Sequence, residues 1–357
     1  MIEQFKKSVL IYTLIILALG GAAYETIANM RQTTESSKSM ADYSQPPLSQ
    51  GVYPWSVRSI DTQVISKHWP NVTRASIIEQ VGLVSKLGVN YIAIGTPYDK
   101  IDEMRMWSEE IHKLGLHVWY RSHWDEWEGD DGKPATMTPE DYLYRTSQFI
   151  QNNPDLFQSG DSLTVAVEPE QVGVGLGKRF LTWDQYRTFM LAQVIVANES
   201  FDKIGLKGKV YTNWLSVNGW VVENQYTPEL VDKLGLIVVD HFVGQSKTIG
   251  EFNDPQDLVR QTMHDLDTYH ARWNVPILLG EWGYQIFQPV TDENQANVID
   301  LLLSQLRTRN YLVGMNYWVH MGNTASIMGD EFGTNLKYRK GATVLKSFYE
   351  PLHSGQF

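Results

Sequence analysis

The 357-residue chain contains no cysteine, which excludes disulfides, thiol catalysis and thiolate metal sites. Basic residues are also in deficit, since 30 Lys and Arg stand against 41 Asp and Glu, a formal net charge of −11. Proteins that bind nucleic acid usually present a basic surface, so this balance argues against nucleic acid as a partner. No Gly-rich phosphate loop follows the first predicted strand, which counts against a nucleotide-binding sheet.

The N-terminal segment has the pattern of an export signal. Two lysines, Lys6 and Lys7, precede an apolar run from about residue 9 to residue 23. This pattern predicts a signal peptide or membrane anchor over residues 1–30. The polar, proline-containing stretch at residues 31–51 is typical of a flexible linker. We therefore expect an exported protein, either secreted or attached to a membrane and facing outward.

Strand-like and helix-like segments alternate through the rest of the chain, residues 52–357. Eight such units occur, and the strands are short, apolar runs, as expected for parallel strands that are buried on both faces. Eight strand–helix units predict an α/β protein with a (β/α)8 barrel. A doubly wound open sheet is the alternative. No His-x-His motif lies on strand one, as a metal-dependent hydrolase barrel would require, so we expect no metal.

Polar and aromatic side chains follow several predicted strands at the point where each strand ends. In a (β/α)8 barrel the active site lies at the C-terminal ends of the strands. The chain contains 12 tryptophans, and indole rings at such positions stack on sugars. We therefore predict a groove for a polyhydroxy ligand. Its candidate residues are Arg121, His123, Glu168, Glu170, Asn213, His241, Glu281, Trp282, Tyr284 and Trp318, and Asp61 on strand one and Asp240 on strand six are further polar residues at strand ends.

The central pair of candidates is Glu168 on strand four and Glu281 on strand seven. Each follows an apolar run, so each carboxyl group should be partly desolvated. Two carboxyl groups facing each other across a barrel mouth suit glycoside hydrolysis, in which one protonates the leaving oxygen and the other attacks the anomeric carbon or activates water. A salt bridge to arginine or a helix cap is the structural alternative for either residue alone.

Residues 52–352 resemble clan A of the retaining glycoside hydrolases, which includes cellulases, β-mannanases, β-galactanases and β-xylosidases. GEWGY at 280–284 is similar to the clan's nucleophile motif, and the resemblance implies that Glu281 is the nucleophile. Trp318 matches the tryptophan that floors the sugar subsite at the end of strand eight. His241 resembles the histidine of a His-aromatic pair on strand six. No cofactor is implied.

Strand four departs from the clan's Asn-Glu-Pro motif, because Val167 stands where the clan has asparagine. Glu168 and Pro169 match the rest of the motif, so Glu168 is the implied acid/base, with Glu170 as the second candidate. The sugar contact that the asparagine normally makes would have to come from elsewhere, and Asn213 or His123 could supply it.

These observations together predict a monomeric, endo-acting hydrolase that cleaves a β-linked polysaccharide or oligosaccharide. A carbohydrate-binding barrel without catalysis is the main alternative, and a structural protein of the cell envelope is a third. The separation of the two carboxyl groups discriminates among these possibilities: about 5–5.5 Å indicates a retaining enzyme and about 6.5–9.5 Å an inverting one. A much wider gap, or a carboxylate held by arginine, favours the binding barrel.

Overall fold

A computed structural model describes the greater part of the chain. The described residues are 54–69, 72–128, 134–169, 180, 182–216, 219–241, 255–284, 291–322, 325–329 and 336–353. The predicted signal or anchor segment and the linker lie outside them. No helix in the described ranges is long and apolar enough to cross a membrane.

Eight parallel strands form a closed barrel in which each strand pairs with the next and the last pairs with the first. The strands are β1 (Val57–Asp61), β2 (Tyr91–Ile94), β3 (His117–Tyr120), β4 (Ser162–Val167), β5 (Tyr211–Ser216), β6 (Ile237–Asp240), β7 (Ile277–Trp282) and β8 (Leu312–Tyr317). The predicted (β/α)8 barrel is therefore confirmed, and the open sheet is excluded because β1 and β8 are hydrogen-bonded.

Helices follow the strands and surround the barrel. They are α1 (Gln63–His68), α2 (Arg74–Ser85), α3 (Ile101–Lys113), α4 (Asp125–Glu128), α5 (Pro139–Asn152), α6 (Trp183–Lys203), α7 (Gly219–Asn224), α8 (Pro228–Leu234), α9 (Pro255–Trp273), α10 (Asp292–Leu306) and α11 (Lys340–His353). Threonine side chains accept a hydrogen bond from a first-turn backbone N–H in α2, α5, α6, α8 and α10, which fixes where these helices begin.

The apolar core has two layers, because successive side chains of a strand point to opposite faces. The larger layer lies between the strands and the helices. The smaller one takes residues from all eight strands and fills the barrel interior: Val57, Tyr91, Ala93, Trp119, Val167, Tyr211, Leu215, Leu236, Val238, Leu278 and Val313. This inner set shows which residues of each strand face the barrel axis, and so which side chains can reach its mouth.

Candidate active site

An arginine at the mouth of the barrel connects three strands. Arg121 follows β3, and the same face of that strand carries Trp119 in the barrel interior, so the guanidinium also points inward. Nη1 donates to Asp61 on β1, and Nη2 donates to Glu281 on β7. Asp61 also accepts a hydrogen bond of 2.9 Å from Asn316 on β8. The arginine is fully buried, and its charge is balanced by carboxylates rather than by solvent.

Glu281 reaches this arginine because β7 changes its alternation near the end. Leu278 faces the barrel interior, so simple alternation would turn residue 281 outward toward the helices. The pairing of β7 with β8 shifts between Leu279 and Trp282, and its pairing with β6 shifts at Asp240. Such irregularities re-aim side chains, and here they turn the carboxylate of Glu281 into the mouth.

Glu168 is placed by a second irregularity, at the end of β4. The pairing with β5 shifts between Thr164 and Val167, and Glu168 follows with a backbone φ of 40°. This left-handed conformation is unfavourable for a residue with a side chain and is found mainly at sites where the surrounding structure enforces it. Its N–H donates to the carbonyl of Leu215 over 3.1 Å, which anchors the turn to β5. The side chain of Glu168 is half-buried.

Three carboxyl groups meet in the mouth: Glu168, Glu281 and Asp240 at the end of β6. One oxygen from each lies within 4.8 Å of an oxygen of the other two. Burial raises the pKa of Glu281 above its ordinary value, and the charges of Glu168 and Asp61 add to this effect while Arg121 opposes it. Burial also raises the pKa of Asp240, and the carboxyl groups of Glu281 and Glu168 raise it further. The cluster therefore retains protons at a pH where isolated carboxyl groups have lost them.

The second glycine of the GEWGY motif allows β7 and β8 to meet closely above these carboxyl groups. A Cβ atom on Gly283 would lie 1.8 Å from the carbonyl oxygen of Trp318, so no other residue fits there without displacing the backbone. The N–H of Trp318 donates to the carbonyl of Trp282 over 2.9 Å. Trp318 is half-buried and directly follows β8, at the mouth where the sequence predicts a sugar platform.

Two of the predicted substrate contacts, on β6 and β7, lie on the faces of their strands opposite to the carboxyl cluster, and their contact with substrate stays a prediction. The ring of His241 faces α9, where Nε2 lies 2.8 Å from Asp265. Trp282 is fully buried and packs edge-to-face on Tyr317, with ring centroids 5.9 Å apart. Both are direct neighbours of inward-facing carboxyl residues, and adjacent residues of a strand point to opposite faces.

Asn213 faces the barrel interior. It is fully buried, accepts from the hydroxyl of Thr164 over 2.7 Å and donates to Ser162 over 2.8 Å. Because β5 continues to Ser216 beyond it, Asn213 lies below the rim, and its contact with substrate stays a prediction. His123 is also fully buried, whereas Tyr284 is half-buried just after β7.

Glu170, the second candidate for the acid/base, lies outside the described residues, so the choice between it and Glu168 stays a prediction. Among the residues that the structure does describe, the cluster of Glu168, Asp240 and Glu281 is the group of carboxylates close enough to share a cation. A pair of catalytic carboxyl groups requires the same spacing. In this cluster Glu281 also contacts the guanidinium group of Arg121.

No protein-family model and no curated protein sequence matches this chain. Several solved structures are similar to it. A β-D-glucuronidase of Dictyoglomus thermophilum superimposes with a TM-score of 0.60 at 15% identity, over 83% of this chain and 51% of that one. A Bifidobacterium dentium β-glucuronidase in complex with coumarin-3-O-glucuronide gives 0.59 at 12%, over 83% and 46%. A GH2 β-galacturonidase of Eisenbergiella tayi bound to galacturonate gives 0.57 at 12%, over 84% and 52%.

This chain thus spans about half the length of the enzymes that it resembles. At such low identity the likeness concerns the fold and does not carry over their substrates. The resemblance to (β/α)8 glycoside hydrolases is confirmed at that level: the chain has the closed barrel, and its structural neighbours are glycoside hydrolases.

Proposed function

We propose that this protein is a retaining glycoside hydrolase that acts on β-linked polysaccharides or oligosaccharides. The observation that carries the proposal is the approach of Glu168 and Glu281 to within 4.8 Å at the C-terminal end of a (β/α)8 barrel. This separation suits a carboxylate that attacks the anomeric carbon directly, because an inverting enzyme leaves room for water and separates its carboxyl groups by about 6.5–9.5 Å.

In the proposed mechanism Glu281 attacks the anomeric carbon while Glu168 protonates the leaving oxygen. Water then hydrolyses the glycosyl ester, and Glu168 accepts the proton of that water. Arg121 opposes the rise in the pKa of Glu281 that burial causes, so it favours the ionised form that a nucleophile needs and that Glu281 reaches as the pH approaches about 8. Asp61 and Asn316 hold the guanidinium in place, so Glu281 is oriented before substrate arrives. Trp318 would stack on the sugar at the cleavage point.

A carbohydrate-binding barrel without catalysis remains the second candidate, and the same arginine favours it. A carboxylate held by a buried guanidinium resembles a structural ion pair. Two features weigh against this reading. Arg121 is shared with Asp61, and its contact uses only Oε1 of Glu281. The backbone irregularities on β4 and β7 would also serve no purpose in a barrel that needed only stability.

The decisive experiment is hydrolysis by the full-length protein of β-mannan, β-glucan, galactan, xylan and chitin, together with aryl β-glycosides including a glucuronide. We expect activity that Glu281→Gln and Glu168→Gln each reduce by at least about 10³-fold. Glu350→Gln, an exposed glutamate on α11, serves as the matched control and should be fully active. Binding of a glycan with no product from the wild type would favour the binding barrel.

Two further measurements assign the roles. The anomeric proton of the first product, followed by NMR, should show retention of configuration, and inversion would contradict the proposed roles. With azide present, Glu281→Ala should form an α-glycosyl azide and Glu168→Ala a β-glycosyl azide, because each small side chain admits the anion on its own face of the sugar. If Glu168→Ala instead kept its activity without azide, Glu170 would become the acid/base.

The cleavage pattern tests the proposed endo action. Mid-length oligosaccharides as the first products of a polymer would support it, and release of terminal sugars alone would contradict it. We also propose that residues 1–30 direct export. Cell fractionation with and without this segment tests that proposal, because deletion should leave the protein inside the cell.

A further inference from the structure

Asp240 is the one member of the carboxyl cluster that has no role in the two-glutamate mechanism. Its side chain is 2% exposed, and neither oxygen has a hydrogen-bond donor among the described residues. A buried carboxylate without a donor destabilises a protein considerably, whereas a buried neutral carboxylic acid is tolerated far better. A side chain retained at such a site needs an explanation in terms of function.

The charged groups that face Asp240 come from three strands. Glu168 follows β4 and has a carboxyl oxygen within 4.8 Å of one of Asp240. Glu281 is the direct partner of Asp240 in the β6–β7 pairing, and Arg121 lies beyond Glu281. Two carboxylates cannot hydrogen-bond to each other unless one of them holds a proton. The oxygens of Asp240 and Glu168 lie within 4.8 Å of each other, so a proton held between them would relieve the repulsion of two neighbouring charges.

A glycine on the neighbouring strand β7 leaves space beside the carboxyl group of Asp240. A Cβ atom on Gly280 of β7 would lie 2.2 Å from Cδ1 of Leu215, 2.8 Å from Cγ1 of Val238 and 3.1 Å from Oδ1 of Asp240. Any larger residue at position 280 would push into the apolar wall and against the aspartate. Gly280 thus leaves Asp240 its place beside the apolar side chains of Leu215 and Val238.

We propose that Asp240 and Glu168 act as one carboxyl pair that shares a proton, so that Asp240 is a positioning residue that stores the proton delivered by Glu168. The inference rests on the proposed glycoside hydrolase function and extends it. Dyads of closely spaced carboxyl groups commonly hold one proton in common, because the second ionisation is opposed by the first.

The shared proton keeps the charge of the cluster constant during the first half of the reaction. The pair passes its proton through Glu168 to the glycosidic oxygen, whose bond to the anomeric carbon breaks with the electron pair staying on that oxygen. The pair gains one negative charge while Glu281 loses one as its ester forms. In the second half, water gives a proton to the pair and its oxygen to the anomeric carbon, and the ester electrons return to Glu281.

Asp240→Asn tests the inference, because asparagine keeps the shape and can donate to Glu168 but cannot store a proton. For substrates with poor leaving groups we expect kcat to fall about 10–100-fold. For a dinitrophenyl glycoside, whose leaving group needs no proton, the change should stay below about threefold. The alkaline limb of kcat/KM should move to lower pH by about one unit, because a fixed N–H donor stabilises the Glu168 anion.

Asp161→Asn is the matched control, since Asp161 is as deeply buried but lies at the opposite end of β4. It should leave both the leaving-group dependence and the pH profile unchanged. Infrared difference spectra provide a measurement that does not depend on activity: the carboxylic acid C=O band of the wild type at pH 7 should be weaker in Asp240→Asn.

The outcomes separate the two proposals. An active wild type whose leaving-group dependence and infrared band are unaltered by Asp240→Asn would overturn the shared proton and leave the hydrolase standing. A wild type inactive on every substrate would overturn both the hydrolase and the acid role of the pair. Binding of Ca²⁺ or Mn²⁺ that protects the wild type against heat but not Asp240→Asn would also overturn the inference, because the carboxyl groups would then serve as ligands to a metal.

Discussion

The two ends of the barrel show how one residue type serves opposite purposes. Asp161 precedes β4 and is fully buried, yet every lone-pair direction is used: it accepts from the N–H groups of Val118 and Gln158 over 2.9 and 2.7 Å and contacts Nε2 of His112 at 3.0 Å. Asp240, on the mouth side, is equally buried and has no such donors among the described residues. Asp161 is fully hydrogen-bonded at the bottom of the barrel, whereas Asp240 is buried beside other carboxyl groups at its mouth.

The difference teaches where changes affect folding alone. At the bottom Asp161 has all its hydrogen bonds made, so conservative changes there should affect unfolding and little else. At the mouth, like charges lie close together and Glu168 adopts an unfavourable backbone conformation, which only the surrounding barrel can enforce. Variants at the two ends should therefore separate stability from activity.

The largest effect is expected from Arg121→Met, which removes the cation between Asp61 and Glu281. Two buried carboxylates would lose their partner, and we expect unfolding free energy to fall by about 3–5 kcal/mol. Arg309→Met is the counterpart at the bottom, where a half-buried guanidinium binds Asp267 near solvent, and should lose less than about 1 kcal/mol. Chemical denaturation measures both, and equal losses would remove the contrast between the two ends.

The second largest effect is expected from Gly283→Ala, because the added Cβ would collide with the backbone carbonyl of Trp318 rather than with a flexible side chain. We expect the unfolding free energy to fall by about 3 kcal/mol. We also expect Trp318 to be displaced, and KM therefore to rise. Gly82→Ala on α2 is the control: nothing lies within 4 Å of its Cβ position, and alanine favours helix. A fully stable and active Gly283→Ala protein would contradict the assignment of Trp318 to the site.

Asp161→Asn should lower the unfolding free energy by about 2 kcal/mol. The NH2 group of asparagine would face a backbone N–H that now donates to the carboxylate, and two donors cannot hydrogen-bond to each other. The specific activity of the folded protein should not change. Thermal unfolding and the rate on an aryl glycoside, measured on the same preparation, check the two statements. A loss of activity larger than the unfolded fraction would show that the two ends of the barrel are coupled.

The smallest effect concerns pH. Asp240 and Glu281 have pKa values raised above the ordinary 3.8 and 4.5, in the case of Glu281 to about 8. The native protein therefore keeps protons that the unfolded chain has released, and the stability that these groups contribute is present below about pH 4 and lost as pH rises toward 8. In Asp240→Asn the decline between pH 5 and 8 should be smaller by about 1 kcal/mol. Identical pH slopes for the two proteins would contradict the raised pKa of Asp240.

The barrel could be predicted from the sequence because its signals are local. Eight apolar runs, each followed by a helix that begins at a threonine or proline or ends at a glycine, suffice to count the units. The pairing of Glu168 with Glu281 also follows, since both residues end such runs and the fold brings strand ends together.

The details of the mouth could not be predicted in the same way, because they depend on alternation within each strand. A shift of one residue exchanges inward and outward side chains, and the sequence does not mark where the pairing of β6 and β7 shifts. The sequence predicts His241 and Trp282 as site residues, but the structure turns their neighbours Asp240 and Glu281 into the mouth and buries Trp282 in the core. Val238 faces the barrel interior, and because residues two apart on a strand share a face, Asp240 must face the same side. This can be inferred only once the inner face of β6 is known.

The hydrogen bond from Asn316 to Asp61 joins the last strand of the barrel to the first, across 255 positions of the chain. During synthesis from the N-terminus, a chain that ends before β8 has Arg121 and the mouth carboxyl groups but lacks the partner that closes their network. The ribosome must therefore complete almost the entire domain before the hydrogen-bond network of the mouth can form. A growing chain has no assembled mouth until the barrel closes.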